Sequence, residues 1–289
     1  MPIITEAFNT QATGALELLL QQENSLLRNH VQVQTMQGSD STVINQIGDV
    51  TATVLTGRHQ DTVWGNIDHY VRHAHPGTYQ GTALLSTIDE LKTMTRPTSA
   101  YMKAIAGGIG VATDEEIIRA ALQPAMTGRE GTTAVALPAA QKIANGSTGL
   151  TLIKLRQAML RFRRAKVNTK KTKLYIVVDP EQIDNMLGTV ETTSADFNQI
   201  RALISGDLDY FMGFHFLQTT ELPKSARIRN CFAYAECALV LGDWEQVVFT
   251  ADRLPTVNNE IGVIGRQTLG ATRTQEKKVV QIDCQETTA

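Results

Sequence analysis

VQVQTMQGSDSTVINQIGDVTATV, residues 31–54, constrains the fold more than any other part of the sequence. Alternating polar and apolar residues over 31–35 and 49–54 are typical of β-strands, and a turn is predicted at 38–41. The few apolar residues and frequent glycines continue to residue 95. A two-stranded ribbon of this kind is not stable alone in water, and its edges can pair with another chain. The stretch therefore predicts an oligomer.

The length, composition and charge are those of an ordinary globular protein. The chain has 289 residues, of which 42% are hydrophobic and 19% charged, and its formal net charge is -2. A length in this range predicts one large domain or two interlocked ones, and near-neutrality argues against a surface devoted to nucleic acid. We see no secretory signal at the first residues and no apolar run of about 20 residues, as a membrane helix needs. Three cysteines without CxxC spacing (Cys231, Cys237, Cys284) predict reduced thiols in a cytoplasm.

Helical periodicity predicts four helices before residue 170. They cover 5–29, a segment from Pro97 to Gly107-Gly108, a segment opened by a capping box at Thr113–Glu116, and about 151–167. Beyond them the pattern becomes α/β, with a buried strand at 174–178 and a helix that begins at Asp179-Pro180. A second helix is predicted after residues 193–196, and strands at 214–219 and 277–283, whereas 230–249 mixes both signals.

No motif in the sequence predicts a catalytic, cofactor or metal site. His69, His73 and His75 have a spacing that zinc accepts on a helix, but the glycines and proline around them disfavour a helix. The glycine-rich segments 106–110 and 127–133 lack the strand-to-helix context of a nucleotide loop. No nucleophile elbow or catalytic triad can be assembled. We therefore expect no enzyme, no cofactor and no metal.

The strongest charge feature is a basic stretch over 154–173, where nine of twenty residues are Lys or Arg. On the predicted helix these cations lie away from an apolar stripe made by Leu152, Leu155, Met159 and Phe162. Two readings stay open: a solvated face or ion-paired contacts within or between subunits, which we favour, and a weak, unspecific contact with DNA phosphates. The residues to which this prediction applies are Lys154, Arg156, Arg161, Arg163, Arg164 and Lys166.

A series of short motifs runs along nearly the whole chain. They are TEAF at 5–8, QQENSLLR at 21–28, QIG at 46–48, TGRHQDT at 56–62, DEEII at 114–118, AMTGREGT at 125–132, LTL at 150–152, TTSADFN at 192–198, DYFMGF at 209–214 and GATRTQEKKVV at 270–280. In this order they resemble one family of major capsid proteins of tailed bacteriophages, which have the Hong Kong 97 fold. The resemblance implies an α+β fold and a structural role.

The resemblance also implies a domain organisation. Residues 1–30 would be an N-terminal arm and 31–95 an extended loop that lies over the adjacent subunit. Residues 96–147 and 255–289 would form a peripheral domain with a spine helix, to which the last strand returns. Residues 148–254 would form an axial domain. Since the extended loop would cover a neighbour, we expect its charged residues Arg58, Asp61, Asp68 and Arg72 to contact other subunits rather than their own core.

The function implied is a major capsid protein that forms pentamers and hexamers of an icosahedral shell around double-stranded DNA. Its partners would be further copies of itself, a separate scaffolding protein, a portal, and packaged DNA held weakly; a decoration protein and crosslinking are left open. The shell would be assembled in the bacterial host's cytoplasm and stay in the virion, without a membrane. The alternatives are a nucleic-acid-binding oligomer that uses 154–173, or a cargo-holding nanocompartment of the same fold.

Overall fold

The structure, a computed structural model, describes residues 24–38, 42–48, 50, 52, 54, 61, 64–85, 98–189, 210–256 and 259–286. Most of the predicted helix over 5–29 and all of the one expected after 193–196 lie outside these ranges. At the end of the former, Arg28–His30 form a short 3-10 helix.

The described residues have a mixed α+β architecture. The helices are α1 (Thr98–Leu122), α2 (Leu152–Arg164) and α3 (Pro180–Thr189). The strands are β1 (Gln32–Thr35), β2 (Thr42–Ile47), β3 (His69–Ala74), β4 (Gly77–Leu85), β5 (Ala125–Thr127), β6 (Thr133–Val135), β7 (Lys142–Ile143), β8 (Leu174–Val178), β9 (Tyr210–Phe211), β10 (Phe214–Gln218), β11 (Lys224–Ser225), β12 (Ile228–Ala235), β13 (Leu239–Leu254), β14 (Glu260–Arg273) and β15 (Val279–Gln285).

Three sheets organise these strands. A four-stranded sheet has the order β1-β13-β14-β4, and a second has the order β2-β3-β5-β6. The seven-stranded sheet has the order β7-β15-β12-β8-β10-β9, with β11 paired to β12. Every residue of β8 is buried, as its continuous apolar run predicts for a central strand. The main core lies here, where Leu155, Ala158 and Phe162 of α2 are buried in the same cluster.

The predictions for α2 and α3 are confirmed. Thr151 caps α2 by accepting a hydrogen bond from the Lys154 backbone N–H, and the predicted apolar stripe faces the core. The Asp179 carboxylate accepts from the Glu181 N–H at 3.2 Å at the start of α3. Both helices carry their start signals and apolar faces locally, which is why the sequence is sufficient to predict them.

The prediction of two helices between 97 and 123 is wrong, because α1 is continuous through Gly107-Gly108. The Thr113 hydroxyl donates to the Ile109 carbonyl at 2.9 Å within the helix, so it is no N-cap. Close packing explains why residue 110 is a glycine. A Cβ there would lie 2.9 Å from the Ser25 backbone N, so the glycine lets residues 24–25 approach the helix closely.

Asp114 fixes the chain entering β1 onto α1. Its buried carboxylate accepts hydrogen bonds from the backbone N–H groups of Leu26 at 2.9 Å and Leu27 at 3.0 Å, and from the Ser25 hydroxyl. A carboxylate that accepts several donors in a buried site is a strong local clamp. The sequence placed this residue in a capping box, whereas it binds a segment 88 residues away.

Glu116 connects α1 to the four-stranded sheet that contains β14. Its carboxylate accepts from the Tyr79 hydroxyl at 3.0 Å, from Arg119 Nε at 2.7 Å and from the Ala271 backbone N–H at 3.2 Å. Burial, followed by the neighbouring Glu116 charge, raises the pKa of Tyr79 to about 12. The neutral phenol is therefore the form that the folded state stabilises.

This shift predicts how Tyr79→Phe changes alkaline stability. In the wild-type chain the unfolded phenol ionises near pH 10 while the folded one stays protonated to about pH 12. The stabilisation from Tyr79 is thus present below pH 10 and lost as the pH rises to about 12. In urea unfolding, the free energy of unfolding of the wild type should therefore fall relative to that of Tyr79→Phe as the pH rises through this window. A difference independent of pH would contradict the proposed linkage.

Sheet pairing does not follow the predicted domain boundaries. β13, within the predicted axial segment, pairs along its length with β14 of the predicted peripheral segment. In the seven-stranded sheet, β15 lies between β12 of the predicted axial segment and β7 of the predicted peripheral segment, so the return of the last strand to the peripheral domain stays a prediction. The pairing of β15 with β12 and β7 has no local signal, because a strand presents the same alternation to any partner. In the described part of the chain, no helix is long and apolar enough to span a membrane.

Candidate assembly surfaces

The extended loop contains a two-stranded ribbon. β2 and β3 are antiparallel, with Ile44 opposite Arg72, and the Gly48 N–H donates to the Asp68 carbonyl at 2.7 Å beyond them. At its base, β3 also pairs with β5. Of the strand predicted over 49–54, residues 50, 52 and 54 are described and form none. The ribbon strands are thus not the predicted ones, because β1 of the predicted strand over 31–35 pairs with β13 instead. Gln46 of β2 also connects the ribbon to the body by donating to the Thr274 carbonyl at 2.6 Å.

Large apolar side chains of the ribbon and its tip face solvent. The exposed fractions are 69% for Ile47, 70% for Val50, 84% for Val54, 89% for Trp64 and 52% for Tyr70. A monomeric protein rarely exposes so many large apolar residues in one segment, and such segments mark interaction sites. We call residues 47–70 the ribbon tip. A tryptophan in a polar, glycine-rich segment is the sequence signal that could have identified it.

The structure bears differently on the four charged residues of the extended loop that were predicted to contact other subunits. Arg58 lies outside the described residues, and Asp61 and Asp68 are exposed, so their contact with other subunits stays a prediction. Arg72, in contrast, is buried in its own chain. Its Nε donates to the Thr274 carbonyl at 3.2 Å, and its Nη2 lies 2.6 Å from the Glu276 carboxylate. The expectation that Arg72 avoids its own core is wrong, because this side chain faces the turn after β14.

Arg273, which sequence analysis missed, joins three segments beside that turn. It is fully buried, and its guanidinium donates to the carbonyls of Ala121 at 2.8 Å, Gln123 at 3.0 Å and Val135 at 3.2 Å. It thereby satisfies carbonyls at the end of α1 that lack helical partners. Burial lowers the pKa of Arg273, and Glu276, 4.0 Å away, partly offsets this. Its partners are about 150 residues distant, so no local pattern marks its role.

Lys154 does not belong to the exposed basic face on which it was predicted to lie. It is buried, and its three ammonium N–H groups are shared among the carbonyls of Asn145 and Thr148 at 2.8 Å and of Gly149 and Asp283 at 2.9 Å. Burial lowers the pKa of Lys154. Rather than presenting charge to a partner, this lysine connects α2, the loop before it and β15. The reason is its position beside Leu155, on the flank of α2 that packs against the sheet.

The other predicted cations remain at the surface. Arg156, Arg163, Arg164 and Lys166 are exposed, and Arg161 is half-buried, which lowers its pKa through desolvation. Among the residues that the structure describes, none of these five forms an ion pair, whereas eight other close cation–carboxylate contacts are present. The exposed cations of this face are therefore available for contacts outside the described part of the chain.

The candidate metal ligands show ordinary structural contacts. His73 Nε2 lies 2.8 Å from the Gly128 carbonyl, and the His73 and His75 rings are 6.3 Å apart. An acidic group of Asp179, Glu181 and Glu286 lies near the end of β15. Arg229 occupies it, with Nε 2.7 Å from Glu286 and Nη2 3.6 Å from Asp179, and Lys224 also pairs with Glu286. Cations of the chain thus neutralise these acids.

Solved structures with the same arrangement are capsid chains. The capsid of the cyanophage P-SCSP1u has a TM-score of 0.71 at 13% identity, with 98% of this chain and 94% of that chain covered. The capsid of Ralstonia phage GP4 has a TM-score of 0.74 at 12% identity, covering 97% and 96%. A chain of Mycobacterium phage Che8 has a TM-score of 0.70 at 16% identity, covering 94% and 95%. These similarities confirm the predicted α+β fold of the Hong Kong 97 type.

Sequence comparison adds the family. No curated protein sequence is significantly similar to the chain. A model of the phage capsid protein family, however, matches residues 4–286, which is nearly the whole sequence. The members are structural capsid proteins, so the predictions of a coat protein and of no enzymatic role are confirmed. The chain belongs to the phage capsid protein family and is a structural component of a virion capsid.

Proposed function

We propose that the chain is the major capsid protein of a tailed bacteriophage, and that its pentamers and hexamers close an icosahedral shell around double-stranded DNA. Assembly would take place in the bacterial cytoplasm with a separate scaffolding protein and a portal. The observation that carries the proposal is the ribbon tip, whose apolar side chains are exposed in the single chain. Covering them with a neighbour removes apolar surface from water, at about 25 cal/mol for each Å².

The basic face of α2 fits the same proposal without a strong DNA contact. A lining that held DNA tightly would hinder packaging and release, because each phosphate contact adds to a salt-dependent attraction and many subunits multiply it. We therefore propose that the exposed cations mainly contact other subunits and that any contact with the genome is weak and unspecific.

Electron microscopy of the purified protein, produced with and without its candidate scaffolding protein, tests the function. Angular closed shells support a capsid protein, and DNA inside particles from infected cells supports genome packaging. Shells that enclose a protein cargo and never DNA would instead favour a nanocompartment. A stable monomer or dimer in sedimentation, with the scaffolding protein supplied, would refute the proposal.

The ribbon tip can be tested by Trp64→Ser and by the charge reversal Asp61→Arg. Both side chains are exposed, so the free energy of unfolding of the subunit should change by less than about 0.5 kcal/mol. The yield of shells should nonetheless fall by about tenfold for Trp64→Ser, because a buried aromatic anchor typically contributes 1–2 kcal/mol or more to an interface. Arg58→Glu is expected to act like Asp61→Arg.

Native light scattering and particle counts give the shell yield, and urea unfolding gives the stability. Gln80→Ser is a matched control, because Gln80 is exposed on β4 outside the ribbon tip. If Trp64→Ser unfolds the unassembled subunit, the tip belongs to the chain's own core, and its proposed role between subunits is wrong.

A further inference from the structure

The outward face of α2 is not a purely cationic surface. Ile153 and Leu160 are 60% and 45% exposed, although both are large and apolar. They are seven residues apart, which corresponds to about two helical turns, so they lie on one face. Leu155, Ala158 and Phe162 are fully buried on the opposite face. The helix therefore has two apolar sides, of which the fold covers one.

Arginines surround the exposed apolar pair. Arg164 lies on the same face, about 20° from Ile153 on the side away from Leu160, and Arg156 and Arg163 lie along the other side, next to Leu160. All three are exposed, and none forms an ion pair with a described residue. Arginine with apolar residues is a typical composition of protein–protein interfaces. A phosphate backbone would pair with the guanidinium groups and leave Ile153 and Leu160 in water.

The charge distribution of the chain identifies a complementary partner. The stretch 154–173 has nine basic residues and no acidic one. The rest of the chain therefore has 18 of the 27 Lys and Arg residues against all 29 Asp and Glu residues. Outside this stretch a copy of the chain is strongly acidic. A second copy thus offers the opposite charge, and a contact between two different patches of identical subunits generates rings when it closes.

We propose that the outward face of α2, formed by Ile153, Arg156, Leu160, Arg163 and Arg164, docks on an acidic, partly apolar surface of a second copy of this chain. The contact rests on the proposed shell function and specifies one of its subunit interfaces. The apolar pair is desolvated at the centre, and the arginines pair with carboxylates around it. Lys154 takes no part, since its ammonium is bound within its own chain.

The test separates the apolar centre from the charge. Leu160→Gln removes the apolar contact and keeps every cation, whereas Arg163→Gln removes one cation and keeps the apolar pair. Leu160→Met is the matched control for the first, and Lys170→Gln, an exposed cation in the turn after α2, for the second. Ile153→Gln repeats the apolar test at a second position, in case Leu160→Gln fails to fold. Each full-length protein is assembled with the scaffolding protein and measured by sedimentation velocity.

We expect Leu160→Gln, Ile153→Gln and Arg163→Gln each to raise the protein concentration at half-assembly by about tenfold. Both controls should stay within about twofold of the wild type, and urea unfolding of the subunits should be unchanged. Fluorescence anisotropy with a short DNA duplex should give the same weak binding for wild type and Leu160→Gln.

The outcomes distinguish this interface from the proposed function. If the wild-type chain forms no rings or shells, the shell function itself fails. If the wild type assembles and the two apolar variants assemble equally well, the docking proposal alone is overturned. Normal shells of Arg163→Gln combined with Arg164→Gln that fail only to retain DNA would also overturn it, since the face would then be a genome contact.

Discussion

Lys154→Met is expected to lower the free energy of unfolding of the unassembled subunit by about 3 kcal/mol. Methionine fills nearly the same volume but donates no hydrogen bond. Four backbone carbonyls, those of Asn145, Thr148, Gly149 and Asp283, would each lose an ammonium donor at 2.8–2.9 Å. The loop before α2 and the end of β15 would also lose their common attachment. Urea unfolding at neutral pH measures the change.

Lys170→Met is the matched control for this substitution. Lys170 belongs to the same basic stretch but is exposed, so the same chemical change should alter stability by less than about 0.5 kcal/mol. A loss of similar size in both variants would mean that the net charge of the stretch matters rather than the carbonyl contacts. A loss below about 1 kcal/mol for Lys154→Met would contradict the inferred attachment.

Arg273→Met is expected to have a larger effect, a loss of about 4 kcal/mol in the free energy of unfolding. The side chain is fully buried, and three carbonyls lose their donor at once. Among the cations that the structure describes, Arg72, 2.6 Å away, would remain the partner of Glu276. Since Arg72 belongs to the ribbon strand β3, the end of α1 and the base of the ribbon should both become less protected in amide hydrogen exchange.

Arg253→Met serves as the control, because Arg253 is exposed near the far end of β13. We expect no measurable change in stability and no change in hydrogen exchange at the end of α1. Arg273→Lys adds a sharper test. A lysine keeps the charge but cannot reach three carbonyls with the geometry of a guanidinium, so it should recover less than half of the loss. Full recovery by lysine would show that only the charge matters.

Patterns of neighbouring residues predicted the helices that bury one face and the strand that is buried on both faces. The apolar stripe of α2, the continuous apolar run of β8 and the Asp179-Pro180 start of α3 were all sufficient, and the structure confirms them. The presence of a ribbon within 31–95 was also predictable, because alternation without enough apolar residues for a core is visible in the sequence, but its strands at 42–47 and 69–74 are not those that alternation indicated. The family resemblance added the coat fold, which no single motif could have established.

Local signals were misleading where distant residues override them. Gly107-Gly108 and Thr113 predicted a break in α1, yet contacts of Gly110 and Asp114 with residues 24–27 help to hold one continuous helix in place. The mixed pattern over 230–249 concealed β12 and the first part of β13, two consecutive strands that belong to different sheets.

The basic stretch over 154–173 shows most clearly which features the sequence determines and which depend on the tertiary structure. The sequence established that a dense group of cations accompanies the apolar stripe of α2, because helical periodicity is a property of neighbouring residues. Tertiary structure decided that Lys154 points into a cluster of carbonyls while Arg156, Arg163 and Arg164 face solvent, because this depends on where β15 and the loop over 145–149 lie. The same reasoning applies to Arg72 and Arg273: a charge is evident from the sequence, but its partner is fixed only when the chain folds.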